Sequence, residues 1–406
     1  MATIWRHVVA FVNIDQYNQY MSVKMIAADE VCQRLGIRPQ TLYAYVSRGL
    51  LEAAADGADS RRSLYREAEV DALAARKKAG RSRPVVAAKA INWGDPVLET
   101  RISTVVRGRL IYRGHDAVAW SEHATLEETA ALLCDVASWP QAAARAPIAS
   151  GSGIGASFNY LAQAMNEAQP MFGRSRQAIV VEGAALFRGL AGTVLGREVT
   201  GPVQEAAAAA WRLKPKGADL VRRALVLLAD HELNASTFAV RVVASTGASL
   251  PAALMAGLAA LTGPRHGGMT MRTVAMFAEA LAAPDPAAFF AARLVRGEPI
   301  WGLHHALYPD GDIRAHALRA AHEPYGALLR TIEAAEAAGG MLLNVDGALA
   351  ALAQTLGLSQ EAAFAIFALG RTAGWLAHAI EQTETGTLIR PRARYVGAEP
   401  SVPGSG

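Results

Sequence analysis

Gly263-Pro264-Arg265-His266-Gly267-Gly268 breaks a long helical pattern about two-thirds of the way along the chain. Pro264 stops one helix, and Gly267-Gly268 lets the backbone approach a ligand before the next helix, expected from about Thr270. An imidazole held at such a helix start stays neutral and donates a hydrogen bond, because the positive end of the helix dipole disfavours a second charge. Four other short segments share this setting: Asp230-His231-Glu232, His305 with Arg314, Asn344-Val345-Asp346, and Gly370-Arg371. Each sets a proton-transfer group or a fixed cation beside Gly, Pro or a cap-forming residue. Three histidines, one aspartate and two arginines in that setting suit the binding of a small dicarboxylate and removal of a proton beside a carbonyl.

The 406 residues exceed what one hydrophobic core accommodates, so two or more domains are expected. Much of the 52% hydrophobic content is alanine, as in Ala206-Ala207-Ala208-Ala209-Ala210, and alanine is the strongest helix former, which predicts a mostly helical protein. Charged residues or proline interrupt the apolar stretches, which reads as a chain that does not enter a membrane. Residues 1–24 read as a loose extension, with Met21 or Met25 as an alternative start. Cys32 and Cys134 exclude a disulfide framework and a cysteine-based metal site, and agree with the cytoplasm. A formal charge of +4 does not by itself imply nucleic-acid binding.

Residues 25–75 read as a small domain with two helices about a turn. Ala28 to Leu35 is followed by Gly36-Ile37-Arg38 and a second helix from Pro39, closed by Gly49, with Val31, Leu35, Ile37, Leu42 and Val46 on one apolar face. The pattern resembles the winged helix-turn-helix domains of the MerR and excisionase type. Arg61, Arg62 and Tyr65 are then expected on the wing, with a helix from Glu67 to Ala75. Residues 76–92 hold the densest basic run, Arg76-Lys77-Lys78-Ala79-Gly80-Arg81-Ser82-Arg83-Pro84, which is either a solvated linker or a phosphate-neutralising segment.

From Trp93 onward the pattern is a series of helices, apart from a hairpin predicted over Arg101 to Gly114. No GxGxxG before a helix, no Walker sequence and no HExxH is present, so nucleotide-binding and zinc-hydrolase readings lack support. The region 93–406 resembles citrate synthase through seven segments in order. These are Leu110-Ile111-Tyr112-Arg113-Gly114, Asp230-His231-Glu232-Leu233-Asn234-Ala235-Ser236-Thr237, the His266 segment, Gly302-Leu303-His304-His305-Ala306-Leu307-Tyr308, Asn344-Val345-Asp346, Gly370-Arg371 and Leu388-Ile389-Arg390-Pro391.

The resemblance implies a mainly α, two-domain helical fold preceded by the winged domain. Residues 93–266 with 356–406 would be the large domain and 267–355 the small one. It implies condensation of acetyl-CoA with oxaloacetate, as in the tricarboxylic acid cycle, with acetyl-CoA a substrate, no cofactor and no metal. Asp346 would be the base, His266 the donor to the thioester oxygen, and His305 the donor to the keto oxygen. His231, Arg314, Arg371 and Arg390 would bind oxaloacetate, with Arg390 reaching a partner's site in a homodimer. Departures surround the acyl-CoA side: His304 where glycine is common, Ala306 and Pro309 where basic residues occur, Ile313 for proline, and Met269-Thr270-Met271-Arg272 after Gly268 in place of small residues followed by Asn-Glu. Two alternatives stay open: 2-methylcitrate synthase using propionyl-CoA, and a DNA-binding regulator whose citrate-synthase body senses a metabolite.

Overall fold

The computed structural model describes residues 25–47, 51, 53–55, 63–67, 69–71, 73–74, 98–141, 151–393 and 395–397. Described residues fall into two compact units: those up to Glu99, with those from Arg392 onward, and Thr100–Pro391.

In the first unit, strand β1 (Met25–Ala27) leads into helix α1 (Ala28–Leu35), then α2 (Pro39–Ser47), β2 (Ala53–Ala55) and β3 (Ser63–Arg66). Gly36 ends α1 in the left-handed region, at φ 57°, and turns the chain sharply enough for Pro39 to open α2. The antiparallel sheet has the order β1-β3-β2 and backs both helices, a winged helix-turn-helix arrangement. Val31, Leu35 and Leu42 are buried with Ile26, Leu51 and Val70, while Ile37 and Val46 pack at the margin. Tyr65, expected on the wing, instead faces Ile26 and Ala53 on the central strand and is buried, because a strand paired on both sides leaves an aromatic ring only the core or solvent. Arg34 is held by Glu30, Glu67 and Asp71, which removes it from the cations free to meet phosphate. The extension 1–24, Gly49, Arg61, Arg62 and the basic run 76–92 lie outside the described residues.

The second unit opens with the predicted hairpin, β4 (Ser103–Val106) and β5 (Arg109–Tyr112), to which a short β6 (His115–Asp116) is added. Its two turn residues, Arg107 and Gly108, both have positive φ, as a two-residue hairpin requires. Helices follow: α3 (Ala117–Ser121), α4 (Leu126–Leu133), α5 (Gly153–Glu167), α6 (Arg176–Leu195), α7 (Val203–Ala210) and α8 (Pro215–Leu227). Then come α9 (Ala235–Ser245), α10 (Leu250–Leu261), α11 (Gly268–Ala282), α12 (Pro286–Val295), α13 (Ile313–His322), α14 (Gly326–Gly339), α15 (Val345–Leu356) and α16 (Gln360–Thr385).

Helix α16 is the axis of the core. Nearly every residue from Ala362 to Ile380 is buried, and α4, α5, α6, α8, α9, α10, α11 and α15 all pack against it. A helix apolar on all sides must be enclosed. Both α6 and α16 are long and apolar enough to cross a membrane, contrary to the expectation that charges interrupt every such stretch. Both instead lie mostly or wholly inside the fold, and α16 tolerates Arg371 at its centre because α8 supplies a partner there.

Candidate active site

Helix ends and the loops between them position the predicted residues. His231 stands in the connection from α8 to α9, fixed by Asn234. The Oδ1 of this cap accepts the Ser236 and Thr237 N–H groups at 3.2 Å each, while its Nδ2 donates back to the His231 and Glu232 carbonyls. Glu232 takes φ 50°, a left-handed conformation uncommon for a side-chain-bearing residue and a local strain beside the site. His266 stands just before α11, its N–H bonded to the Gly263 carbonyl at 2.9 Å. The helix begins at Gly268, two residues earlier than expected.

Asp346 occupies the first turn of α15, whose cap is Asn344, so Asp346 has no capping duty and its carboxylate is directed elsewhere. His305 lies in the loop before α13. Its Nδ1 accepts the Leu307 N–H at 3.2 Å, which places the proton of the neutral ring on Nε2 and makes that nitrogen a donor.

These side chains form a contiguous cluster. The rings of His231 and His305 meet edge to face with centroids 5.0 Å apart, and Tyr308 completes the triangle at 5.6 and 5.2 Å. The Tyr308 hydroxyl is 2.9 Å from His231 Nε2, and Arg314 lies over the Tyr308 ring at 5.3 Å. Phe367, on α16, links the other side: the Arg371 guanidinium sits 5.1 Å from its centroid and the His266 ring meets it edge to face at 6.2 Å.

Two arginines hold the cationic ground of the site in different ways. Arg314 gives Nε and Nη2 to Asp312 at 2.9 and 2.7 Å, and this pair is fully buried. Burial pulls its pKa down, but the adjacent carboxylate outweighs burial and raises it. Asp312 also caps α13 and accepts the Val345 N–H at 3.0 Å, tying α13 to α15. Arg371 donates its Nε to the Leu228 carbonyl at 2.8 Å, and among the described residues its outer fork makes no hydrogen bond. Burial lowers it to about 10, with Asp230 opposing. A buried guanidinium lacking a direct carboxylate partner is suited to take one from an anion.

The histidines are kept neutral. Burial, then the Arg371 charge, brings His266 down to about 4; burial, then Arg314, does the same for His305; burial and Arg314 push His231 well below the usual range. Asp346 moves the other way. Burial raises it to about 6, although the Thr270 hydroxyl bonded to its Oδ1 favours the ionised form.

The tautomer of His266 turns on Ser236, whose Oγ is 2.8 Å from His266 Nε2, 2.7 Å from Asn234 Oδ1, and accepts the Trp375 Nε1–H at 3.2 Å. The hydroxyl has one proton. Aimed at Asn234 it makes His266 Nε2 the donor; aimed at Nε2 it places the ring proton on Nδ1.

Arg390 is not brought to this cluster. It is exposed, and the adjoining Ile389 N–H is bonded to Ser245 Oγ at the far end of α9. Ser245 is nine residues beyond Ser236, about 14 Å along the helix. Tyr308 and Asp312 join the site without a sequence motif of their own, although each flanks a predicted residue, His305 and Arg314, at the spacing of one turn or less. Among the described residues no group of three or more His, Cys, Asp or Glu could hold a metal ion.

A family profile of the citrate synthase C-terminal domain matches residues 196–392, and one of a helix-turn-helix domain matches residues 28–78. Putative citrate synthase 2 of Mycobacterium tuberculosis is 38% identical over 203 residues, 47% of this chain and 54% of that protein. A 2-methylcitrate synthase of Shewanella oneidensis is 33% identical over 186 residues, 43% and 50% of the two chains. The chain spans about half the length of the curated relatives it matches. The fold is that of citrate synthase from Thermoplasma acidophilum, solved in ternary complex with carboxymethyl coenzyme A and oxaloacetate, at a TM-score of 0.61 and 24% identity over 75% of this chain and 95% of that one.

Proposed function

We propose that this chain, whose residues 196–392 match the citrate synthase C-terminal domain, condenses acetyl-CoA with oxaloacetate and water to give citrate and free CoA. The observation that carries the reading is the half-buried Asp346 carboxylate, raised to about 6, in one unit with three neutral histidines and the buried Arg314 and Arg371.

In the proposed reaction Asp346 takes a proton from the methyl carbon of the thioester while His266 hydrogen-bonds the thioester oxygen. A carboxylate is a weak base for so weak an acid, so the developing oxyanion must be stabilised in the same step. That role needs the His266 tautomer whose Nε2 accepts from Ser236. The enol carbon then attacks the keto carbon of oxaloacetate, whose oxygen takes a hydrogen bond from His305 Nε2–H. His231, Arg314 and the outer fork of Arg371 hold the dicarboxylate, and hydrolysis of the citryl thioester drives the reaction forward.

Arg390 acts, in this reading, on the partner's site in a cytoplasmic homodimer; its exposure and its anchoring at the far end of α9 support that. The small domain comprises 267–355, and no cofactor is used. The relative named 2-methylcitrate synthase supports propionyl-CoA as the alternative acyl donor, a difference of one methylene worth about 1–3 kcal/mol of discrimination. The test is free thiol release from a panel of acyl-CoAs with and without oxaloacetate. Absence of oxaloacetate-dependent release from every acyl-CoA would sink the reading.

A second reading rests on the helix-turn-helix match at residues 28–78 and the sheet behind it. A two-fold body would present paired second helices to a pseudo-palindromic DNA site, in addition to catalysis.

A further inference from the structure

Most helical threonines of the second unit spend their hydroxyl on the carbonyl one turn earlier. Thr193 donates to Gly189, Thr273 to Met269, Thr331 to Ala327 and Thr372 to Ala368, all at 2.8–2.9 Å. Thr270, fully buried in the first turn of α11, does not. Its hydroxyl crosses to α15 and donates to Asp346 Oδ1. The residue lies four positions after His266, so one short segment carries both a proposed oxyanion donor and a hydroxyl bound to the proposed base. In the sequence it was legible only as a departure from the Asn-Glu that the family usually has there.

We propose that Thr270 is a positioning residue for the reaction: it fixes one oxygen of Asp346 so that the other, Oδ2, faces the acidic carbon of the acyl-CoA. Three features carry this. The hydroxyl lies in the first turn, where no helical carbonyl stands four residues back, and the packing of α11 on α15 brings Asp346 to it instead. The Thr270 side chain is fully buried, so no water competes for its hydroxyl proton. With Oδ1 engaged, the carboxylate cannot rotate without losing its donor, which restricts proton abstraction to Oδ2. A hydroxyl also gives its proton to the ionised carboxylate more strongly than to the neutral acid, so it keeps the base charged in a site where burial favours protonation. The other charged groups acting on Asp346 are Arg314 and Asp312 at the start of α13 and Arg371 on α16, and none of them donates to it directly.

The inference rests on the proposed condensation, and its test separates the two. Wild-type protein is first assayed for oxaloacetate-dependent thiol release; failure there removes the condensation reading, while activity there makes the Thr270 variants decisive. Thr270→Val keeps the shape of the side chain and deletes only the donor. It should lower kcat about 10- to 100-fold, the change carried by a ~1.5–3 kcal/mol hydrogen bond to a charged group at 1.36 kcal/mol per tenfold. The KM for oxaloacetate should stay within about twofold, and the acid limb of the kcat profile should move to higher pH by about one unit. Above that limb, where the carboxylate is ionised in either protein, a residual kcat deficit should persist, which reports lost orientation. Thr270→Ser should restore both the limb and the rate. Unchanged kcat and an unmoved acid limb in Thr270→Val would overturn the inference. So would a rate loss that Thr270→Ser fails to rescue, or one accompanied by an equal loss of oxaloacetate affinity, since either would mark the role as general packing.

Discussion

Replacing Asp346 by Asn should stabilise the protein at neutral pH while stopping catalysis. Burial raises the carboxyl from 3.8 to about 6, and at 1.36 kcal/mol per unit that difference corresponds to about 3 kcal/mol. The side chain is half-buried, so solvent screening reduces the figure to about 1–2 kcal/mol. The sign follows from the protonated form being favoured by the fold. Below pH 3.8 the carboxyl is neutral in folded and unfolded chains alike and its contribution is fully present; as pH rises through about 6 the folded protein must ionise a buried group, and that contribution is lost. Asn keeps an oxygen to accept from Thr270 and never ionises. Thermal unfolding of both proteins between pH 4 and 8 should show nearly equal midpoints at the acid end and a gap that opens between about pH 4 and 6 and stays constant above. The gap should reach a few degrees, at about 2–4 °C per kcal/mol for a domain of this size. A gap of constant size across that range, or one in favour of the wild type at pH 7.5, would refute the assignment of a raised carboxyl.

Three further outcomes are expected. Mixing Arg390→Ala subunits with Asp346→Asn subunits should recover thiol release absent from either alone, since one composite site per heterodimer escapes both changes; no recovery after verified subunit exchange would mean self-contained sites. His304 occupies φ 54°, so His304→Gly should fold at least as well as the wild type, whereas His304→Val should lose more than about 1 kcal/mol in denaturant titration; equal stability of the two variants would contradict the strain. If residues 25–83 bind DNA, affinity should fall with salt at a log–log slope of about −0.9 per phosphate contacted and vanish on deletion of residues 1–92 with thiol release intact; no binding to genomic fragments at low salt would remove that function.

Much of this was legible because its signals are local. Gly36 before Pro39 marks a turn between helices, Arg107-Gly108 between alternating apolar residues marks a hairpin, and Asn344 before Val345 marks a helix start, all set by backbone conformation within a few residues. What escaped the sequence depends on packing between distant segments. Tyr65 carries the same signal whether on a wing or in a core until the pairing of β3 on both edges is known. Thr270 looks like any helical threonine until α15 is laid beside α11, 76 residues away. Arg371 and Arg390 are chemically alike, yet one is sealed in the central helix and the other lies in the open. His304 shows the reverse: its unusual presence where glycine is common was visible at once, and the left-handed backbone supplies the reason.

The loop carrying His305 and the helix carrying Asp346 touch backbone to backbone. Gly302 accepts the Asn344 N–H at 2.9 Å, Leu303 pairs with Leu343, and Asn344 Nδ2 donates to the Leu303 and His304 carbonyls. A β-carbon on Gly347 would fall 2.3 Å from the Gly302 oxygen, and one on Gly302 would fall 2.8 Å from the Gly347 Cα, so neither position has room for a side chain. The proposed base and the proposed keto-oxygen donor are therefore mounted on a single rigid plate. Side chains built on that plate keep their spacing, as two jaws cut from one piece keep their gap. In the proposed reaction the two groups would not have to find each other again at each turnover.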